Sequence, residues 1–208
     1  WIENLGLAEG DWRKNTVVLR NPLGEDTSVM RTTMVPSMLY TIANNLNRGN
    51  ANGRLFELSK VFVPAAEEGK LPTEKNTLTL GMFGEGVDFY SVKNAAMWLM
   101  QVFGVEADVA VGGDCYYHPG RKAVLSAEGV QLAQIGEIHP DVAAKFDIES
   151  RVYVAEIDID ALKPLDKPLY GVKPLPKFPA VTRDIAVVVD EAAGAGSMLE
   201  TIKKSGGK

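Results

Sequence analysis

Three acidic side chains alternate along one predicted strand of this 208-residue chain. In an extended strand Glu156, Asp158 and Asp160 would point to the same face, where three carboxylates could hold a hard cation such as Mg²⁺. An acidic run of this kind is more often the solvated side of an edge or half-covered strand. We favour that second interpretation and predict no metal ligand here.

The only cysteine, Cys115, lies three residues before His118, one of two histidines. A structural zinc site needs four ligands, usually in close pairs, and no second pair follows. A cysteine nucleophile would need a histidine base and a helix start or cation beside it, and the sequence places none of these near Cys115. We therefore predict a turn at His118-Pro119-Gly120 and the start of a helix at His139-Pro140.

Gly81, Gly84 and Gly86 stand between a predicted strand and a predicted helix, where phosphate-binding loops occur. Their spacing is not the dinucleotide pattern, and no Gly-Lys-Ser/Thr follows. A plain flexible turn is the favoured interpretation, because glycines mark turns far more often than ligand sites. The sequence thus predicts no catalytic, cofactor-binding or metal-binding residue.

Composition narrows the class of protein. Lys and Arg total 22 against 27 Asp and Glu, a net charge of −5, which argues against a surface wholly devoted to nucleic acid. One cysteine cannot form an internal disulfide, which is typical of a reducing compartment. No apolar run reaches the roughly 18 to 20 residues that span a bilayer. The chain begins with Trp1 and not with methionine, so we expect a fragment of a longer protein.

The first helix is predicted to begin near Val35, because Pro36 suits the first helical position. Apolar residues recur along one face of this helix, and uncharged asparagines lie on the other. Burial in the core and packing against a partner protein explain this pattern equally well. In the second case the candidate interface residues are Met34, Met38, Ile42 and Asn45.

Residues 54–63 are predicted to form a long strand. Because both faces of this strand carry apolar residues, we expect it to be central and covered on both sides. Further predicted elements are a strand at 76–82, a helix at 89–103 capped by Asp88, a hairpin around Glu128-Gly129, a short helix from Pro140 and a strand at 151–159.

Five prolines between residues 163 and 180 predict a stiff, extended linker that is neither helix nor inner strand. Beyond it, Ile185–Val189 is predicted to be a strand and Ser197–Lys204 a short helix. One strand and one helix cannot bury a core alone. These last residues are therefore expected to be part of a second domain.

Eight segments, in order, resemble the C-terminal part of bacterial phenylalanyl-tRNA synthetase beta subunits. The match runs through nearly the whole chain, and eight pieces in sequence are far more specific than any one of them. The segments are Asn21-Pro22-Leu23, Ser28–Thr32 with Pro36, Asn45–Gly49, Leu55–Leu58, Asp88-Phe89-Tyr90, His118–Arg121, Ile135–Pro140 and Phe178–Ile185.

This resemblance implies an α+β fold: an antiparallel sheet flanked by helices, of the class II aminoacyl-tRNA synthetase kind, followed by a truncated ferredoxin-like domain. Residues 1–162 would be a non-catalytic synthetase-like module, and residues 163–180 the proline-rich linker. Residues 181–208 would supply the first strand and helix of the anticodon-binding domain.

The resemblance also implies partners. A catalytic alpha subunit would make phenylalanyl-adenylate from phenylalanine, ATP and magnesium, in a cytoplasmic heterotetramer of two alpha and two beta chains that binds tRNA. No cofactor is expected on this chain itself, and neither a membrane nor DNA is an expected partner.

One departure from the synthetase pattern decides the expected role. Related class II enzymes end this strand in an arginine that grips the nucleotide, whereas this chain has Val63, which cannot pair with phosphate. The glycine-rich third motif with its arginine also has no counterpart at 153–162. We therefore expect a module that supports subunit assembly and does not catalyse. The alternative is a stand-alone small-ligand enzyme or amino-acid-binding module, with Arg31 and Arg121 as anion contacts.

Overall fold

The computed structural model describes residues 1–67, 69–166, 179, 181–190 and 193–206. The chain divides into two compact units, Trp1–Gly171 and Val172–Lys208.

The first unit contains eight strands and four α-helices in its described part. The strands are β1 (Val17–Val18), β2 (Val29–Met30), β3 (Gly53–Val63), β4 (Thr73–Phe83), β5 (Asp108–Ala110), β6 (Tyr117–Ala127), β7 (Val130–Ile138) and β8 (Val152–Asp158). The helices are α1 (Val35–Asn47), α2 (Phe89–Val102), α3 (Pro140–Ala144) and α4 (Ile159–Leu162).

Six strands form one antiparallel sheet in the order β3-β4-β8-β7-β6-β5, and β1 pairs with β2 separately. Apolar clusters cover both faces of this sheet. One contains α1 and alternate β8 residues such as Val152 and Val154, and the other contains α2, α4 and the intervening Tyr153 and Ile157. The predicted α+β class, with an antiparallel sheet flanked by helices, is confirmed.

Helix α1 begins as predicted, with Pro36 in its first turn, where a missing amide hydrogen costs nothing. It ends before Gly49, whose φ of 84° suits a residue without a side chain. The apolar stripe of α1 lies against β4 at Gly81, where an added Cβ would come within 2.6 Å of Met38 Sδ. The glycine at 81 is therefore part of a strand that needs close helix packing, and not part of a loop.

Three other local predictions also hold, whereas the predicted turn at His118-Pro119-Gly120 was wrong, because these residues belong to strand β6. Asp88 and Ser91 form a reciprocal capping box at the start of α2. The β6–β7 hairpin turns at Glu128 and Gly129, which both have positive φ, as the favoured two-residue turn requires. His139 caps α3 by accepting a hydrogen bond from the Asp141 amide.

Strand β3 corrects one prediction. Among the described strands it pairs only with β4, at the edge of the sheet, so it is not central. On one of its faces Phe56 is 76% exposed and Leu58 is 61% exposed. The prediction was wrong because apolar residues on both faces show what a strand could bury, and not whether a neighbouring element reaches it.

The second unit contains one helix in its described residues, α5 (Ala195–Ser205). The predicted helix is confirmed, whereas residues 181–190, which include the predicted strand Ile185–Val189, belong to no helix or strand. Most of the predicted linker lies outside the described residues. Its first residues, Lys163–Leu165, form a 3₁₀ turn after α4, so the prediction of no helix was wrong there. In the described part of the chain, no helix is both long and apolar enough to cross a membrane.

Candidate functional site

A small pocket of about 190 Å³ opens on the face of the sheet that α1 covers. It lies beside the first turn of α1, at one end of β3, β4, β8 and β7. The residues that line it are Trp12, Arg13, Thr32, Thr33, Val61, Val63, Lys75, Thr77, Gln131–Gln134, Glu156 and Asp158. This pocket holds Val63, the residue at which the sequence departs from the synthetase pattern.

Glu156 occupies the start of α1. Its carboxylate accepts a hydrogen bond from the Met34 amide at 2.6 Å and from the Thr33 hydroxyl at 2.8 and 3.0 Å. A helix N-terminus attracts anions, because its first amides lack partners within the helix. Burial raises the pKa of Glu156, and the hydrogen bonds from Met34 and Thr33 only partly oppose this. The anion position at this helix start is thus filled by the chain's own side chain.

Arg13 is held between two aspartates on the other side of the pocket. It donates to Asp11 at 2.7 and 3.0 Å and to Asp114 at 2.6 and 2.9 Å. The hydrogen bond from Arg13 lowers the pKa of Asp11 to about 2. Burial alone would raise the pKa of Asp114, but the guanidinium and its hydrogen bonds hold it below its ordinary value. Two carboxylates therefore already use the donors of Arg13.

Lys75 and the remaining acids complete the site. Lys75 Nζ lies 3.4 Å from Asp158, which also caps α4 through the Ala161 amide. Asp160 is not beside them, because β8 ends at Asp158 and Asp160 binds the backbone and side chain of Asn76 from α4. The three acids do not share one solvated strand face. The interpretation of this run as the solvated side of an edge or half-covered strand was wrong, because Glu156 lies in the pocket on a central strand and Asp160 lies beyond the strand.

The charged side chains of the pocket are paired with other side chains of this chain. Both of its cations are paired with carboxylates of this chain, and Glu156 fills the helix start. Val61 and Val63 add only hydrocarbon to the wall of the pocket. A triphosphate would have to displace these internal carboxylates, and it would then face their negative charge. The arrangement can hold the first turn of α1 on the sheet, but none of the described residues that line the pocket offers a free cation to a phosphate.

The two arginines predicted as anion contacts lie outside this pocket, and each has an internal partner. Arg31 pairs with Glu57 at 2.8 Å and donates from Nε to the Lys60 carbonyl at 3.1 Å. Arg121 donates two hydrogen bonds to the Glu137 carboxylate, at 2.5 and 2.7 Å. The structure does not bring the two arginines together in one site.

The four predicted interface residues do not form an exposed surface. Met34, Met38 and Ile42 are almost completely buried in the core of this chain, and Asn45 is partly buried. The Asn45 amide donates to the Thr41 carbonyl. Of the two explanations offered for α1, the structure shows core burial, because this helix face covers the sheet.

The structure also shows the surroundings of Cys115 and of the two histidines. Cys115 is exposed, and its thiol lies 3.3 Å from the Gly6 carbonyl. The His118 and His139 rings stack 6.3 Å apart, and each accepts a hydrogen bond from a nearby backbone amide. Among the residues that the structure describes, no group of three or more His, Cys, Asp or Glu could hold a metal ion.

Sequence reasoning singled out Val63, Glu156 and Asp158, but it missed the partners that complete this pocket. Arg13 lies in the N-terminal lead-in and meets Asp114 across 101 positions. Thr33 reaches Glu156 across 123 positions. No local pattern marks such pairs, since each becomes visible only when the sheet has brought distant segments together.

Comparison with solved structures agrees with this architecture. The crystal structure of pyrrolysyl-tRNA synthetase from Desulfitobacterium hafniense superposes with a TM-score of 0.60 and 16% identity, covering 78% of this chain and 57% of that chain. At this level of identity the match shows the fold, and the fold alone.

Sequence comparison is more specific. The phenylalanine–tRNA ligase beta subunit of Clostridium acetobutylicum is 42% identical over 208 residues, which is 99% of this chain and 26% of that protein. The beta subunit of Clostridium tetani is 40% identical, over 94% of this chain and 25% of that protein. This chain thus spans about a quarter of the length of these relatives.

A family model for the phenylalanyl tRNA synthetase beta chain CLM domain matches residues 1–159, which include the whole sheet and every residue of the pocket. The expected resemblance is confirmed, and the chain belongs to the phenylalanyl-tRNA synthetase beta chain CLM domain family.

Proposed function

We propose that this chain is a supporting, non-catalytic module of a phenylalanine–tRNA ligase beta subunit. One observation carries this proposal: in the pocket that contains Val63, both cations are paired with the chain's own carboxylates, and Glu156 occupies the start of α1. Val63 stands where the nucleotide-binding arginine would be needed.

The catalytic work then belongs to a partner. The proposed partner is the alpha subunit, which would bind ATP, magnesium and phenylalanine, within an assembly that also binds tRNA. This chain would contribute by packing against the alpha subunit and ordering its active site, because preorganised support can set a rate without touching the substrate. We place both proteins in the cytoplasm.

The test is a comparison of the chain with and without the alpha subunit. By isothermal titration calorimetry, the chain alone should bind neither ATP nor phenylalanine, and it should show no exchange of pyrophosphate into ATP. The complex of the chain with the alpha subunit, under the same conditions, is the positive control for both assays. Sedimentation of the mixture should show a complex of the two chains.

Clear binding of ATP or phenylalanine by the chain alone would support the rival, a stand-alone small-ligand enzyme or amino-acid-binding module. Failure to form a complex with the alpha subunit would contradict the supporting role directly.

A further inference from the structure

The outer side of β3 is open over half its length. Near one end the Phe62 amide donates to the Arg31 carbonyl at 2.8 Å, and Arg31 Nε donates to the Lys60 carbonyl at 3.1 Å. These bonds show that even-numbered residues of β3 turn their backbone groups away from β4. Because the pattern alternates along an antiparallel strand, Arg54, Phe56 and Leu58 do the same. No described strand pairs with them on that side.

This edge has only part of the usual protection, namely the charged side chains of Arg54 and Lys60. Natural sheets guard their edges with short strands, bulges, prolines or charges. The opposite edge follows this rule, since β5 has only three residues. In contrast, β3 has eleven residues, pairs with β4 without a bulge, and exposes Phe56 and Leu58 beside its open backbone groups. Such an edge is suited to receive another strand.

Arg54 gives this edge a charge preference. It is exposed, it lies on the same face as Phe56 and Leu58, and no described carboxylate lies within ion-pairing distance of it. A strand laid beside β3 would place its side chains opposite these three. The best complement is therefore a segment with two apolar residues at alternating positions and an acidic residue opposite Arg54.

A second copy of this chain does not supply that complement. Two β3 edges pairing about a two-fold axis would set Arg54 opposite Arg54, Phe56, Leu58 or Lys60 of the other copy, and none of these is acidic. The acid of this strand segment, Glu57, points to the opposite face and is already paired with Arg31. Charge complementarity thus favours a different polypeptide.

We propose that the β3 edge from Arg54 to Leu58 binds an extended segment of another protein, which adds a strand to the sheet. Its backbone would pair with Arg54, Phe56 and Leu58, its apolar side chains would cover Phe56 and Leu58, and its carboxylate would meet Arg54. This inference rests on the proposed function for the identity of the partner, the alpha subunit.

The experiment measures binding of the alpha subunit by Phe56→Lys, Arg54→Glu and Arg54→Lys variants of the chain. Phe56→Lys and Arg54→Glu should each weaken the complex by at least about tenfold, because they place a charge on the apolar strip or oppose the partner's acid. Arg54→Lys should bind nearly as well as the wild type. Trp98→Lys is the matched control, since Trp98 is 65% exposed and lies on α2 and not on β3.

Amide hydrogen exchange gives a second readout that needs no substitution. The Phe56 and Leu58 amides should exchange fast in the free chain and slowly in the complex, since they face outward only until a strand covers them.

Equal binding by wild type, Phe56→Lys and Arg54→Glu, or unchanged exchange in the complex, would overturn the edge inference and leave the supporting role intact. Self-association of the chain that Phe56→Lys abolishes would also overturn it, in favour of a second copy. If the wild-type chain fails to bind the alpha subunit at all, the proposed function fails and the edge inference fails with it.

Discussion

At the scale of single residues, Glu156 in the pocket and the two aspartates that bind Arg13 respond to pH in opposite directions. Asp11 and Asp114 have lowered pKa values, so the stability that they contribute is present above about pH 4 and is lost as the pH falls. Glu156 has a raised pKa. Its contribution is therefore greatest below its ordinary pKa and declines as the pH rises through the raised value.

This difference predicts the behaviour of Glu156→Gln. The glutamine carbonyl can still accept the Met34 amide and the Thr33 hydroxyl, but it carries no charge to be desolvated. We therefore expect the free energy of unfolding of Glu156→Gln, relative to wild type, to be higher at pH 8 than at pH 5. Urea unfolding at the two pH values measures it.

Glu156→Ala is the control, because it removes the acceptor and leaves the Met34 amide unpaired, at a cost of about 1–3 kcal/mol. A difference between Glu156→Gln and wild type that stays constant, or shrinks at pH 8, would show that burial does not govern this carboxyl.

At the scale of elements, the fit between α1 and β4 depends on Gly81. An added Cβ would come within 2.6 Å of Met38 Sδ and 3.0 Å of Ile42 Cδ1. Gly81→Ala should therefore destabilise the chain by about 1–3 kcal/mol through overpacking. In a urea-denaturation double-mutant cycle, Gly81→Ala combined with Met38→Ala should cost less than the two single changes together, since the shorter side chain makes room.

The matched control for this prediction is Gly24→Ala. A Cβ at Gly24 would meet nothing within 4 Å, and its φ of −171° is ordinary extended backbone. Strict additivity of Gly81→Ala and Met38→Ala would mean that the helix and strand are not in the close contact that the structure shows.

Local chemistry explains which elements could be predicted from sequence. Pro36 and the Asp88 capping box mark helix starts by themselves, and Glu128-Gly129 determines its own turn. The edge position of β3 could not be predicted, because it depends on which strand lies next to it. The prediction of a strand at Ile185–Val189 was wrong for the same reason, because a strand forms only where another strand pairs with it.

At the scale of the whole molecule, the resemblance was predictable although the site was not. The segments that carry the resemblance are short and local, whereas the Arg13–Asp114 pair joins positions 101 apart. The absence of the nucleotide arginine at Val63 predicted a lack of chemistry. The structure adds that Arg13 and Lys75 are paired with internal carboxylates and that Glu156 lies at the start of α1, which supports the proposed supporting role.

Both apolar clusters of the described residues are built from the first unit, with Leu165 as their last member. A chain ending at Gly171 keeps every residue of these clusters, the complete six-stranded sheet and the pocket. We therefore expect residues 1–171 to fold alone and to unfold in one cooperative transition, because a single contiguous set of packed layers supplies the core. Urea unfolding followed by far-ultraviolet circular dichroism measures this, with the 208-residue chain as the control. A shallow, non-cooperative transition of the shorter chain would contradict the assignment of an autonomous first unit.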